Sequence, residues 1–245
     1  MSKKVVVITG AGKGIGLATA KRFALSGDFL ALNFHKTGDE LAEIVKIAKE
    51  NGGDGIIIQA DLSEHDQAVN FIKKTEEYYG RIDVLINNAG ILQSKSAHTI
   101  QWQEWQKMMD TNLGSTWSCI STTLPGMIER KKGRIINISS ELGLVGFPTY
   151  ASYCASKGAI IALTKALAKE YAPLGILVNS VAPGPVETDM LIHDTIEYND
   201  ETREQIPLKR FGQPDEIASV IEFLAGSGGT FLVGQIISPN GGTAI

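Results

Sequence analysis

Short runs of β-branched and apolar residues alternate with longer segments of helical periodicity along nearly the whole chain. The expected strands are residues 5–9, 29–34, 55–59, 82–86, 134–138, 176–181 and 236–237. The expected helices are residues 15–26, 39–50, 64–79, 150–171 and 214–225, with a long helical stretch at 99–132 that we expect to be interrupted near 111–114 and at Pro125. Residues 191–205 are polar and only loosely periodic. Alternation of this kind predicts an α/β fold: a doubly wound parallel sheet of about seven strands with helices on both faces.

The chain of 245 residues shows no linker, repeat or low-complexity stretch, so we expect one domain over residues 1–245. The net charge of −4 argues against a nucleic-acid partner, because such a partner requires a basic surface. No apolar run is long enough to cross a bilayer. Two cysteines, Cys119 and Cys154, are too few for a disulfide framework and suit a reducing compartment, which predicts a cytoplasmic protein.

A glycine-rich turn follows the first predicted strand and precedes the first predicted helix. It reads Thr9-Gly10-Ala11-Gly12-Lys13-Gly14-Ile15-Gly16. Glycines allow a tight turn and a close approach of the backbone to a ligand, and the N-terminus of the helix offers unpaired N–H groups to a pyrophosphate. A glycine-rich string alone could be a simple strand-to-helix turn, but its position between strand and helix predicts a dinucleotide-binding Rossmann fold.

The residues after the second predicted strand indicate which dinucleotide is preferred. An NAD-binding fold usually offers an acid to the adenosine ribose about 20 residues after the glycines, and here the first carboxylate is Asp39, beyond the end of the strand. Lys13 in the turn and Lys36 after the strand instead suit a 2′-phosphate. We therefore predict NADP(H) over NAD(H), the alternative for Lys36 being a solvated loop lysine.

A tyrosine and a lysine four residues apart, Tyr153 and Lys157, share one face of a predicted helix. Such a pair is common by chance, so its context decides its meaning. Ser140 closes the fifth predicted strand and Asn88 closes the fourth, and the carboxyl ends of parallel strands meet at one edge of a sheet. The pattern predicts a polar crevice at that edge.

Taken together, these motifs resemble the short-chain dehydrogenase/reductase family, and the resemblance runs essentially from end to end. The matching positions are Thr9 to Gly16, Asp61, Asn87-Asn88-Ala89-Gly90, Asn112, Ser140, Tyr153, Lys157, Pro183-Gly184, Thr188, and the tail from Gly234-Gln235 to Gly241-Gly242.

The resemblance implies a role for each member of a catalytic set formed by Asn112, Ser140, Tyr153 and Lys157. Tyr153 would be the general acid that protonates a carbonyl oxygen, and Lys157 would ease its ionisation and bind the nicotinamide ribose. Ser140 would hold the carbonyl and steady the Tyr153 oxygen, and Asn112 would anchor a water that relays protons to Lys157.

The cofactor site implied by the glycine turn and by the resemblance extends along the whole crevice. Asp61 would accept a hydrogen bond from the adenine amino group, and Val186 and Thr188 would hold the nicotinamide carboxamide. The residues expected to bind the cofactor are Thr9, Gly10, Gly12, Lys13, Gly14, Ile15, Gly16, Lys36, Asp61, Leu62, Asn88, Ala89, Gly90, Tyr153, Lys157, Pro183, Gly184, Val186 and Thr188.

Within that family the chain most resembles 3-oxoacyl-[acyl-carrier-protein] reductases, which implies reduction of a 3-oxoacyl thioester and acyl carrier protein as a partner. Such reductases commonly present basic residues near the active-site entrance to an acidic partner, and Arg130, Lys131 and Lys132 could do this from one helix end. Leu174, at a position that is often basic, and an acid-rich expected lid at about residues 187–208 count against it. The alternatives are a reductase of a free small carbonyl (a sugar, polyol, steroid or quinone) and a non-catalytic nucleotide-sensing regulator.

Two further expectations concern metals and assembly. The four histidines, His35, His65, His98 and His193, lack metal-ligand spacing, so we expect no metal site. The apolar, glycine-rich end of the chain at residues 230–245 resembles family members whose ends pack across two-fold axes, which implies a homotetramer.

Overall fold

Seven parallel strands form a single sheet in the computed structural model, which describes residues 3–191 and 196–244. The strands are β1 (Val5–Ile8), β2 (Phe29–Phe34), β3 (Asp54–Gln59), β4 (Val84–Asn87), β5 (Gly133–Ile138), β6 (Ile176–Val181) and β7 (Ile236–Ile237). Their order is β3-β2-β1-β4-β5-β6-β7, so the direction of winding reverses between β1 and β4. In sheets of this kind, ligands bind outside the carboxyl ends of the strands at the point of reversal. The predicted doubly wound α/β fold is confirmed.

Nine helices connect the strands within the described ranges. They are α1 (Gly14–Leu25), α2 (Leu41–Glu50), α3 (His65–Tyr79), α4 (Trp102–Met109), α5 (Ser115–Arg130), α6 (Leu142–Val145), α7 (Ala151–Tyr171), α8 (Ile196–Gln205) and α9 (Pro214–Ala225). One face of the sheet packs against α1, α2 and α9, and the other packs against α3, α5 and α7. Because both faces are covered, β1 is apolar throughout and β4 is apolar up to Asn87, so neither strand alternates.

The long helical stretch differs from its prediction at one of the two expected interruptions. The first is present, as a π-helical turn at Asp110–Gly114 between α4 and α5. The second is wrong, because Pro125 lies inside α5. Pro125 is exposed, so water can bind the carbonyl of Ser121, which loses its helical partner there.

The polar segment at residues 191–205 contains helix α8, which its weak periodicity did not predict, and residues 192–195 lie outside the described ranges. In the parts of the chain that the structure describes, no helix combines the length and apolar character needed to cross a bilayer.

Candidate active site

The glycine turn after β1 has no room for side chains at two of its positions. A Cβ atom on Gly12 would lie 1.7 Å from the backbone oxygen of Thr37, and one on Gly16 would lie 2.3 Å from the backbone oxygen of Gly10. Gly10 and Gly14 have φ angles of +61° and +54°, which favour glycine. The glycines therefore allow the turn to fold closely on itself and against the segment after β2, at the N-terminus of α1.

The turn is bound to both neighbouring strands by hydrogen bonds. The backbone N–H of Ala11 donates to the oxygen of Asn33 at 2.7 Å. The hydroxyl of Thr9 accepts from the backbone N–H groups of Asn88 and Ala89, each at 2.9 Å. The amide of Asn88 donates to the backbone oxygens of Thr9 and Gly10, each at 3.0 Å. These bonds fix the ends of β1, β2 and β4 against one another at the expected edge of the sheet.

Ser140, Tyr153 and Lys157 meet at the end of β5. Ser140 is the second residue after β5, and Tyr153 and Lys157 project from α7 four residues apart. The hydroxyl of Tyr153 is hydrogen-bonded to the side chain of Ser140. The Nζ atom of Lys157 donates to the backbone oxygen of Ile138 at 2.8 Å and lies 5.7 Å from the centre of the Tyr153 ring. All three side chains are buried.

Burial shifts the pKa values of this pair in opposite directions. Burial raises the pKa of the Tyr153 phenol to about 12, although the hydrogen bond with Ser140 lowers it. Burial lowers the pKa of the Lys157 ammonium to about 8. With the chain alone, Tyr153 therefore carries its proton at neutral pH, as a proton donor must, and it needs added positive charge to release that proton readily.

Asn112 occupies the π-helical turn and is completely buried. Its side-chain oxygen accepts from the N–H of Ile91 at 2.8 Å, and its amide donates to the hydroxyl of Ser156 at 3.0 Å. A Cβ atom on Gly90 would lie 3.2 Å from the Asn112 oxygen and 3.4 Å from the Lys157 nitrogen. Asn112 and Lys157 therefore flank the same glycine, and the water relay between them stays a prediction.

One cavity of about 380 Å³ extends from Ile15 of the glycine turn to Tyr153 and Lys157. The expected site residues that line it are Ile15, Asn88, Gly90, Ser140, Tyr153, Lys157, Pro183, Gly184, Val186 and Thr188. Thr188 also lies over the turn, because a Cβ atom on Gly14 would lie 3.1 Å from its methyl carbon. Four residues of the expected lid that lie C-terminal to the undescribed ones, Glu201, Thr202, Gln205 and Ile206, line the cavity as well.

The adenosine end of the crevice contains three expected residues in more exposed positions. Although burial raises it, the pKa of Asp61 lies below its usual value because the hydroxyl and N–H of Ser63 donate to the carboxylate at 2.7 and 3.1 Å. Lys36 is exposed after β2. Lys13 forms an ion pair with Asp189 at 3.1 Å, a contact that the sequence did not predict.

His35 also lies in this region, although its spacing in the sequence indicated only that it is not a metal ligand. Its Nε2 atom lies 3.7 Å from the Asp61 carboxylate. Its position directly after β2, beside Lys36, could have indicated from the sequence that it lies at this edge of the sheet. Among the described residues no group of three or more His, Cys, Asp or Glu side chains could hold a metal ion, and His193 lies outside those residues.

The basic residues expected to meet a carrier protein are not at the cavity. Arg130 ends α5, and Lys131 and Lys132 follow it immediately before β5 begins. Ser140 lies beyond the other end of β5, and a strand of that length spans about 20 Å. The cluster lies away from this chain's own cavity because the end of α5 connects to the amino end of a parallel strand, whereas the cavity lies at the carboxyl ends. That the cluster meets a carrier protein stays a prediction.

These residues fit a dinucleotide, since the glycine turn leads into the N-terminus of α1 and the cavity extends from Ile15 in that first turn to Tyr153 and Lys157. A comparison with known families agrees: the family model described as short chain dehydrogenase matches residues 4–198. The chain belongs to the short-chain dehydrogenase/reductase family. The resemblance stated from the motifs is thereby confirmed.

Individual relatives match the chain over nearly its full length. A protein of Staphylococcus aureus named 3-oxoacyl-[acyl-carrier-protein] reductase FabG is 39% identical over 239 residues, covering 98% of this chain and 97% of its own. A 3-oxoacyl-[acyl-carrier-protein] reductase of Synechocystis is 38% identical, covering 99% and 97%. Among solved structures, a blue fluorescent protein from a metagenomic library in complex with NADPH superposes with a TM-score of 0.92 at 30% identity, covering 99% of this chain and 98% of that one.

Proposed function

We propose that this protein reduces the 3-oxo group of an acyl thioester to a secondary alcohol with NADPH. The observation that carries the proposal is the buried set of Ser140, Tyr153 and Lys157 at one end of a cavity that reaches the glycine turn. The relatives named 3-oxoacyl-[acyl-carrier-protein] reductase, at 37–39% identity over nearly the whole chain, support the substrate class. The structural neighbour in complex with NADPH supports the cofactor.

The residues of this chain divide the work of the reaction. The residues that line the cavity from Ile15 to Lys157 would hold NADPH, which would supply a hydride for the carbonyl carbon. Tyr153 donates its phenolic proton to the carbonyl oxygen, and Ser140 orients that oxygen through its hydroxyl. The Lys157 ammonium stabilises the phenolate that remains. Asn112, on the other side of Gly90, would anchor the water through which solvent returns a proton to Tyr153.

The preference for NADPH over NADH rests on the exposed end of β2. Residues 33–38, which include Lys36, contain no carboxylate that could bind the 2′-hydroxyl of NADH. A lysine here favours a 2′-phosphate. The test is kcat/KM for the two cofactors with one substrate: equal values would contradict the preference, and Lys36→Ala should bring the values closer together.

An acyl chain suits the walls of the cavity near the catalytic pair. The apolar lining residues there are Ile91, Leu92, Leu142, Val145, Phe147, Met190 and Leu191. A free small carbonyl compound is the second candidate substrate, favoured by the acidic Glu201 on the wall and by the absence of the Arg130–Lys132 cluster from this edge of the sheet.

The experiment that separates these candidates follows NADPH oxidation with three classes of substrate. Acetoacetyl-coenzyme A and acetoacetyl-[acyl-carrier-protein] represent the thioesters, and a panel of sugars and diketones represents free carbonyls. We expect turnover of the thioesters, and a higher kcat/KM on the carrier protein would support that partner. Activity on the free carbonyls alone would favour the second candidate, and no oxidation at all with intact cofactor binding would favour a regulator.

We further propose a homotetramer in the cytoplasm, with residues 1–245 forming one catalytic domain. Several large aromatic side chains are exposed among the described residues, and four of them support self-association: Trp102, Trp117, Phe223 and Phe231. The free thiols of Cys119 and Cys154 support a reducing compartment. The sheet that joins β1 near one end of the chain to β7 near the other supports a single domain.

A further inference from the structure

A buried carboxyl group, that of Glu141, lies in the wall of the cavity and has no part in the reaction described above. Glu141 is 6% exposed and follows Ser140 directly in the chain. Leu142 and Val145, which follow it in α6, are apolar neighbours on the wall, whereas Ser140 and Thr243 are polar ones. Carboxyl groups are rarely buried unless they are paired or serve a function, and the structure shows no cation bonded to this one among the described residues.

Glu141 is held in place from two sides. The hydroxyl of Thr243, near the end of the chain, donates to its Oε2 atom. Its backbone N–H donates to the oxygen of Pro183 at 3.0 Å, and its backbone oxygen accepts from the N–H groups of Leu144 and Val145 at 2.7 and 3.0 Å. The carboxyl group therefore stays on the cavity wall rather than turning out to solvent.

The charge of Glu141 acts on the catalytic end of the cavity. Burial raises the pKa of its carboxyl, and the hydrogen bond from Thr243 lowers it. The carboxylate in turn contributes to raising the pKa of Tyr153. The other titratable side chains on the wall are Tyr150, Tyr153 and Lys157 around α7, and Glu201 on α8. Lys157 is thus the one cation among the described lining residues, and it is the partner of Tyr153.

We propose that Glu141 is a specificity-determining residue whose carboxylate excludes free 3-oxo acids and leaves uncharged 3-oxoacyl esters and thioesters as substrates. The inference rests on the proposed function and names its substrate class more closely. Glu141 lines the same cavity as Tyr153 and Ser140, so the C1 group of a substrate whose 3-oxo group lies at those two residues shares that cavity with the Glu141 carboxyl. An ionised C1 carboxylate there meets a second negative charge, whereas an ester does not.

The test compares two substrates that share one 3-oxo group, acetoacetate and its ethyl ester. The repulsion between two like charges that share one partly buried cavity changes a relative rate by about tenfold. We therefore expect Glu141→Gln to lower the ratio of kcat/KM for the ester to kcat/KM for the acid by about tenfold, mainly through faster reduction of the acid. Glu141→Leu is the second variant, because leucine suits the apolar wall and removes the charge without needing Thr243.

Glu204→Gln is the matched control, since Glu204 is an exposed acid of α8 that does not line the cavity. Its ratio should equal that of the wild type. NADPH binding checks that each variant is folded. An unchanged ratio in both Glu141 variants, with the ester still reduced, would overturn the inference and leave the proposed function standing. Failure of the wild type to reduce either the ester or the thioesters would overturn the proposed function itself.

Discussion

Replacing Gly12 by alanine should weaken NADPH binding far more than the added methyl group suggests. The new Cβ atom would lie 1.7 Å from the backbone oxygen of Thr37 and 2.8 Å from its carbonyl carbon. Ordinary contact begins at 3.4 Å, so the turn and the segment after β2 must separate by about 1.7 Å. Both are backbone segments and cannot rotate away as a side chain would.

That separation disrupts the bonds which hold the turn in place. The N–H groups of Gly10 and Ala11 donate to the side chain and backbone of Asn33 at 3.1 and 2.7 Å. A net hydrogen bond contributes about 1 kcal/mol, so we expect a loss of about 2 kcal/mol in the free energy of unfolding. A displacement of about 1 Å at a binding group can cost about 100-fold, so the Kd for NADPH should rise by about that factor.

The assay is a fluorescence titration with NADPH, together with thermal unfolding of the free protein. Gly158→Ala is the matched control, because Gly158 lies inside α7 and a Cβ atom there would meet only the oxygen of Gly143 at 3.5 Å. That control should bind NADPH normally and gain up to about 1 kcal/mol of stability from its better helix propensity. A Kd for Gly12→Ala within threefold of the wild type would refute the reasoning.

Two further predictions concern stability and assembly. Lys157→Met should abolish turnover yet raise the free energy of unfolding by about 2 kcal/mol at neutral pH, because burial lowers the pKa of Lys157 to about 8 and the charged form is costly to bury. The pH dependence of the difference in the free energy of unfolding checks this explanation. As pH rises from about 8 towards the ordinary lysine pKa of 10.5, only the unfolded wild-type chain still binds the Lys157 proton, so the wild type should become more stable relative to the variant. A difference that does not change with pH would contradict the explanation. Phe231 is 99% exposed on the single chain and should lie in a subunit contact. Phe231→Asp should therefore reduce the mass measured by light scattering below that of a tetramer. A monomeric wild type would contradict the prediction.

Much of the fold could be predicted because its signals are local and repeated. The strand at residues 176–181 and the helix at 214–225 were predicted with their observed bounds. A short run rich in β-branched residues after Gly175 marks the strand, and a proline in the first turn marks the helix. Helix α8 was missed because its sequence, IEYNDETREQ, has no apolar stripe. Pro125 was overinterpreted, because whether a proline breaks a helix depends on solvent access that no local pattern reveals.

The catalytic and glycine-turn residues of the site were easier to predict than its charges. Tyr153, Lys157 and Ser140 follow from strand ends and helix spacing, and the structure brings them together. The Lys13–Asp189 ion pair and the Glu141–Thr243 hydrogen bond join positions 176 and 102 residues apart in sequence, so no local pattern could show them. The position of Arg130, Lys131 and Lys132 could have been predicted, because the end of a helix that leads into a parallel strand lies near the amino end of that strand.

The role of Tyr153 as proton donor is tested most directly by the single substitution Tyr153→Phe. Phenylalanine keeps the ring beside Lys157 and removes only the hydroxyl that bonds to Ser140. With acetoacetyl-coenzyme A, we predict that NADPH oxidation in a single turnover slows by at least about 1,000-fold, since general acid catalysis contributes about 100- to 10,000-fold. The Kd for NADPH should stay within about threefold of the wild type, because the glycine turn is untouched. Turnover within tenfold of the wild type would contradict the account.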